Sequence, residues 1–545
     1  MRTSDHAAAH WLATDLAANG LRLAVVSPGS RNAPLVLAFH HHPDIELVVA
    51  VDERAAAHIA LGMGLRNRIP AAILTTSGTA AVNVGPAVAE AFHQGTPLIA
   101  ITADRPVASI GKGHGQTVFQ SGLFSSHVQF EACLDELALS EVEMRECVAR
   151  GWEAARTGPV HFNVPFEEPL YGTTTPTGAK SPKQSGAVTS DSSVALALAP
   201  EAFALLLLGP QSHTHRRTVP AAWSDRFEII ADAFSGWKGV ESCAERWLET
   251  RGDWTPEVVI TVGVPPMSKR LRQFLTGSEA RHIHLGRQAW DVFGRLEHID
   301  TATPEIWLDT WSGSATASTT ASTACRTTPP SHFPATLLTD LSVFQAVADQ
   351  APADCTVHIA NSTAARYAQL VDWKVNRLHA NRGVAGIDGC TSTAVGEALS
   401  HPATPTVLIT GDLAFLYDLN GLWVDPAPLN LSIVVIDNGG GAIFRWLDGP
   451  HRTGLLSRYF EGGLCRTSES GGSRSLEHAV LSTGASYRAV HRLEELSEGV
   501  EWLFQESGET DRGVQVLVVK TERAASDLEY QKRLLPVKNP QTETK

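Results

Sequence analysis

The sequence predicts an α/β protein made of three doubly wound parallel-sheet units. Three observations carry that reading. Apolar strand-like runs alternate with helix-like runs in three separate stretches. Two tracts rich in Ser, Thr and Pro separate those stretches. The polar residues best suited to chemistry fall directly after strand-like runs, where open parallel sheets gather their ligands.

The first unit spans residues 1–171. Ser4 is placed to cap a helix that carries Ala8, Trp11, Leu12 and Leu16 on one face and ends at Asn19-Gly20. A strand "LAVV" leads into the turn "SPGSR", and "IELVVAV" leads into Asp52-Glu53-Arg54. "AAILTTSGTAAVNVG" and "TPLIAITADRP" continue the rhythm. Residues 172–195 read as a linker. A second unit, 196–310, has strands near "AFALLLLG", "FEIIADA", "VVITVG" and "RHIHLG". A second linker, 311–334, precedes a third unit over 335–530 and a tail over 531–545.

Length alone, 545 residues, fits about three domains. A net charge of −14 argues against nucleic-acid and membrane-surface partners, both of which want a basic face. No apolar run approaches the ~20 residues that span a bilayer. Seven cysteines without a CxxC spacing predict reduced thiols in a cytoplasmic protein.

In the third unit "PTVLIT" runs into Gly411-Asp412-Leu413, and "LSIVVI" runs into Asp437-Asn438-Gly439-Gly440-Gly441. Asp412 and Asn438 lie 26 positions apart, room for one helix and a returning parallel strand. They are therefore expected at adjacent strand ends. A carboxylate, an amide oxygen and a backbone carbonyl at Gly440 make a hard oxygen site suited to Mg²⁺, which commonly completes its shell with phosphate. The glycines admit a diphosphate close to the backbone, and the helix after Asp412 aims its N-terminus at the same anion.

These two strand ends resemble the signature of the thiamine-diphosphate enzymes: Gly-Asp-Gly, then a pair of asparagines some twenty-five residues on. Leu413 replaces the third residue of the first motif and Asp437 the first asparagine of the second. The resemblance implies thiamine diphosphate with Mg²⁺ or Mn²⁺, a pyrimidine-binding unit over 1–171 and a diphosphate- and metal-binding unit over 335–530. Asp412, Asn438 and the Gly440 carbonyl would hold the metal, with Gly411, Leu413, Ala442 and Ile443 beside the cofactor. It also implies a catalytic glutamate in the first unit that hydrogen-bonds the aminopyrimidine. Glu53 in "VVAVDERAAAHIALG" fits; without the downstream motif, a solvated helix start would be the better reading of that segment. Ser77 and Asn83 would line the pyrimidine pocket, and Ile387 is a candidate wedge beneath the cofactor or an ordinary core residue.

Four stretches, "SPGSRNAPL", "TADRP", "ANRGVAGIDG" and "GDLAFLYDLNGL", together with the looser "NGGGAIF", resemble the family of 2-succinyl-5-enolpyruvyl-6-hydroxy-3-cyclohexene-1-carboxylate synthases of menaquinone biosynthesis. The reaction so implied is decarboxylation of 2-oxoglutarate and addition of the resulting succinyl carbanion equivalent to isochorismate. Both substrates are dicarboxylates, and guanidinium forks suit carboxylates. The resemblance places Ser30, Arg31, Arg105, Gln116, Ser362, Arg366 and Arg382 at the substrate site, with Ile443, Phe444 and Leu447 as its apolar wall. Arg287 or Arg295 would reach in from the middle unit. It further implies a homodimer or a dimer of dimers, with active sites between subunits. His40-His41-His42 reads as a solvated helix end, and "GKGHG" at 111–115 as a loop without a nucleotide-binding GK[ST]. The rivals are another thiamine-diphosphate lyase, acetolactate synthase-like or a simple decarboxylase, and a non-catalytic cofactor-binding regulator.

Overall fold

A computed structural model describes residues 2–175, 203–211, 215–301, 303–313, 336–462, 475–505 and 513–534. Three parallel sheets organise the chain. The amino-terminal sheet runs, in spatial order, Glu46–Ala50, Leu23–Val26, Ala71–Thr75, Leu98–Asp104, Pro159–Pro165 and Phe130–Cys133. The carboxyl-terminal sheet runs Arg377–His379, Thr356–Ile359, Thr406–Gly411, Leu431–Asp437, Gln515–Lys520 and Ser486–Val490. Numbered by position in the chain, both sheets have the order 2-1-3-4-6-5. The central sheet, from Ala204–Leu208 to Leu296–Ile299, has five strands in the order 2-1-3-4-5. In each sheet the order reverses between the first and third strands, which opens a crevice at their carboxyl ends.

The two outer units are not independent. Val424–Asp425, a short strand from the carboxyl-terminal unit, pairs antiparallel with Glu46–Ala50 and closes the edge of the amino-terminal sheet. The helices Glu53–Leu65 and Cys390–Ser400 each follow the second strand of their own sheet, and they pack directly on one another. Both are buried along most of their length: Ala55 to Leu65 throughout in the first, and Cys390 to Ala398 in the second, polar Thr391, Ser392, Thr393 and Glu397 included. Glycines permit the close approach. A Cβ on Gly62 would sit 2.1 Å from the Thr393 carbonyl oxygen, and one on Gly396 would sit 2.0 Å from that of Ile59. Ile59, Ala60 and Met63 then share a core with Val395, Ala398 and Phe415.

The first helix differs from expectation. It spans Ala7–Asn19 with His6, not Ser4, at its N-cap. Thr3 and Ser4 are instead extended, paired with Thr173 and Thr174, so Ser4 is taken up in strand pairing before the helix begins. The helix does end at Gly20, whose φ of +127° suits glycine. The expected linkers lie largely outside the described residues, as does most of the expected tail; the helix Arg523–Leu534 reaches past residue 530. Among the described residues, no helix is long and apolar enough to cross a membrane.

Candidate active site

The strands Thr406–Gly411 and Leu431–Asp437 are neighbours, with Gly411 opposite Ile436, so Asp412 and Asn438 emerge side by side. Asp412 is buried and opens a helix of six residues. Its Oδ1 accepts the Leu413 N–H at 2.8 Å, whereas its Oδ2 is buried without a hydrogen-bond partner. Burial, reinforced by the charge of Asp437, pushes the Asp412 carboxyl up to about 7. Asn438 shows the same pattern: Nδ2 donates to Asp340 Oδ2 at 2.8 Å, and Oδ1 is buried and unpartnered.

Asp340 fixes that amide orientation. It is wholly buried, and its other oxygen accepts Thr521 Oγ1 at 2.6 Å and Ser526 Oγ at 3.2 Å. Two buried acceptors with no donor are costly in a protein interior. A cation supplies what both lack, and the donor set is the hard oxygen chemistry of Mg²⁺ or Mn²⁺. The residues present therefore fit a metal. Gly439 and Gly440 both have positive φ, at +79° and +118°. The Gly440 carbonyl accepts the Ala442 N–H at 2.8 Å, which leaves it a second lone pair.

A cavity of about 210 Å³ lies where the carboxyl ends of the central strands face the carboxyl-terminal unit. Arg366, Ile443 and Leu447 line it, all three anticipated from sequence. Lys269, Arg270 and Asp232 line it from the central unit, and these were missed. Lys269 and Arg270 open the helix Lys269–Thr276, capped by Ser268, just past the strand Val258–Val262. The strand-end rule that singled out the other residues also covers "PPMSKR". Arg287 and Arg295, the sequence-based candidates from this unit, are elsewhere: Arg287 pairs with Asp300 at 3.0 Å and Arg295 donates to the Thr276 carbonyl, and neither lines the cavity.

Beside the cavity, Ser362 (φ +67°) accepts Arg366 Nη1 on its carbonyl at 2.7 Å. The largely buried Arg382 donates to Asn361 Oδ1 at 2.7 Å. Phe444 stacks obliquely on Phe460, and Ile387 packs half-buried against the core.

The amino-terminal residues form a separate group. Glu53 is the first residue of its helix, capped by Asp52, and lies half-buried with Asn83 Nδ2 at 3.4 Å from its Oε2. Ser77 is buried with an unpartnered hydroxyl, and the backbone of Gln116 lies against the neighbouring Gly78. Ser30 is exposed. Arg105 is half-buried with an unpartnered Nε. Arg31 is buried, and its guanidinium is engaged by the Phe166 carbonyl at 3.1 Å and by Glu168 at 2.8 Å, which leaves only Nε unpartnered. Arg54 donates to the Tyr417 carbonyl at the far end of the Asp412–Tyr417 helix. Within one chain, no described contact joins Glu53 to Asp412 or to the cavity. His40, His41 and His42 sit at the end of the helix Ala33–His40, and residues 111–115 form an exposed loop.

A crevice with an oxygen-donor pair at two adjacent strand ends, in a chain whose outer sheets share a strand order, is the arrangement expected of a thiamine-diphosphate enzyme. Residues 6–126 match the family model described as the thiamine pyrophosphate enzyme N-terminal TPP binding domain. Across most of its length the chain is similar to 2-succinyl-5-enolpyruvyl-6-hydroxy-3-cyclohexene-1-carboxylate synthases. It is 32% identical to that of Flavobacterium johnsoniae over 519 residues, covering 89% of this chain and 92% of the relative. For Desulfotalea psychrophila the figures are 35% over 490 residues, 81% and 86%; for Bacteroides thetaiotaomicron they are 30% over 533 residues, 90% and 92%. The chain belongs to this synthase family.

Proposed function

We propose that this enzyme binds thiamine diphosphate with Mg²⁺ or Mn²⁺, decarboxylates 2-oxoglutarate and adds the succinyl unit to isochorismate. The observation that carries the reading is the pair of buried, partnerless acceptors, Asp412 Oδ2 and Asn438 Oδ1, at adjacent strand ends. Asp412, Asn438 and the Gly440 carbonyl would hold the metal. When bound, thiamine diphosphate supplies a nucleophilic carbon and an electron sink for 2-oxoacid decarboxylation. Glu53, with Asn83 beside it, holds a proton at the aminopyrimidine. Arg366, Arg382, Lys269 and Arg270 take substrate carboxylates, and Ile443, Phe444 and Leu447 exclude water from the reacting carbons.

Within one chain the described contacts join Asp52 and Arg54 to residues 417–420, not Glu53 to the Asp412 pair, so in this reading two chains complete each site. Exposed apolar side chains support this: Val51 beside Glu53 is 63% exposed and Val82 beside Asn83 is 47% exposed, which suits a surface that a second copy covers. The five cysteines among the described residues are free, in keeping with a reducing cytoplasm.

The test is CO2 release from 2-oxoglutarate with thiamine diphosphate and Mg²⁺, with and without isochorismate. Slow release that rises steeply as isochorismate is added and consumed is the expected result. If isochorismate changes nothing while pyruvate is readily decarboxylated, the substrate assignment is wrong. An active monomer in light scattering would overturn the shared site.

A further inference from the structure

Glu90 is a carboxylate without a role in the chemistry so far described. It lies on the helix Gly85–Gln94 of the amino-terminal unit and is only 2% exposed. Its partners are in the other unit, 293 and 294 positions away in sequence. One oxygen accepts the Gly383 N–H at 2.6 Å, and the other accepts the Val384 N–H at 2.8 Å. One helical turn further on, Gln94 donates to the Ala380 carbonyl at 3.2 Å. Two polar side chains on one helix face thus grip a single loop, 380–389.

That loop is confined on every side. Asn361 donates to the carbonyls of Asn381 and Gly386, at 2.7 and 2.6 Å, and accepts from Arg382. A Cβ on Gly383 would lie 2.5 Å from the Glu90 carbonyl oxygen, so only glycine permits this approach. Ala385 takes a φ of +60°, an unusual backbone angle for a residue with a side chain. Burial alone raises the Glu90 carboxyl, while the Val384 and Gly383 N–H groups and the Arg382 guanidinium pull it back. The loop carries Arg382 near its start and Ile387 further on.

We propose that Glu90 is a positioning residue that holds Arg382 at the dicarboxylate site by anchoring the Gly383 and Val384 N–H groups across the boundary between the two units. The inference rests on the reading of Arg382 as a substrate-binding residue. A carboxylate suits the task because it accepts at both oxygens. Glutamine has one acceptor, and its NH2 would meet the second N–H donor to donor.

The experiment compares the parent with Glu90→Gln, Arg382→Ala and the double variant, all full-length and loaded with thiamine diphosphate and Mg²⁺. KM for 2-oxoglutarate and for isochorismate is measured, with cofactor binding followed by calorimetry. Glu90→Gln is expected to raise KM for the same dicarboxylate as Arg382→Ala, roughly tenfold or more, with cofactor binding near the parent's. The double variant should match Arg382→Ala alone, because a residue acting through Arg382 has nothing left to position. Multiplying effects, or a lower Tm with KM unmoved, overturn the inference. If Arg382→Ala itself leaves both KM values unchanged, the substrate-site reading of Arg382 fails and takes this inference with it. Should Glu90→Gln not fold, Glu90→Asp keeps the charge but shortens the reach; an unchanged KM there also overturns the proposal.

Discussion

The amino-terminal and carboxyl-terminal sheets repeat one strand order, and their second-strand helices pack as a pair through Gly62 and Gly396. Their strand ends carry different chemistry. After the second strand stands Glu53 in one unit and Arg382 in the other; after the third, Ser77 and Asp412; after the fourth, Arg105 and Asn438. Strand order fixes where a ligand can sit, and the side chains at the strand ends decide which part of it is held. The carboxyl-terminal unit collects oxygen donors that suit a metal diphosphate. The amino-terminal unit offers a carboxylate, an amide and a hydroxyl that suit a heteroaromatic ring.

This division of labour is sharpest in a pair of variants. Asp412→Ala should abolish Mg²⁺-dependent retention of thiamine diphosphate, and calorimetric binding like the parent's would move the metal site elsewhere. Glu53→Gln should retain the cofactor but lose about 10²- to 10⁴-fold in turnover. A near-normal rate would remove Glu53 from its role and blur the contrast between the units.

Smaller effects test how the two units are joined. Gly62→Ala drives a methyl group against the Thr393 carbonyl, so a loss of about 1–3 kcal/mol is expected from overpacking. Scanning calorimetry would show it as a Tm lower by several degrees, and an unchanged Tm would mean that the helix pair yields easily. The smallest effect concerns Glu397, on the carboxyl-terminal helix of the pair. Burial pushes its carboxyl up to about 7, against the pull of Arg66 and Arg377. The folded state therefore holds this proton more tightly than the unfolded chain. The stability it contributes is full below the ordinary glutamate value near 4.5 and is lost as pH rises through about 7. Asp412 and Asp418, also near 7, act with the same sign, so only the difference from the parent isolates Glu397. Glu397→Gln should flatten the fall of Tm between those pH values, and an identical slope would show that Glu397 does not titrate there.

Much of the site is legible in sequence because its signals are local. "TVLITGD" and "LSIVVIDN" each announce a strand and the residue that ends it, and neighbouring strand ends follow from the spacing. Lys269 and Arg270 obey the same rule, and a fuller application of it would have found them. Asp340 and Glu90 carry no such signal. Asp340 lies 98 positions from the amide it orients, and Glu90 lies 293 from the first N–H it anchors.

By itself the sequence determined the alternation of strands and helices, the oxygen donors at two strand ends and the membership of a thiamine-diphosphate family. Each is written in residues close together in the chain, where periodicity and strand-end position suffice. Only the tertiary structure decided that Asn438 turns its oxygen away from Asp340, that Arg31 is engaged by Phe166 and Glu168, and that Glu90 grips a loop of the other unit. Those outcomes depend on which distant groups come within hydrogen-bond reach once the sheets pack, and a buried polar group takes whatever partner that packing supplies.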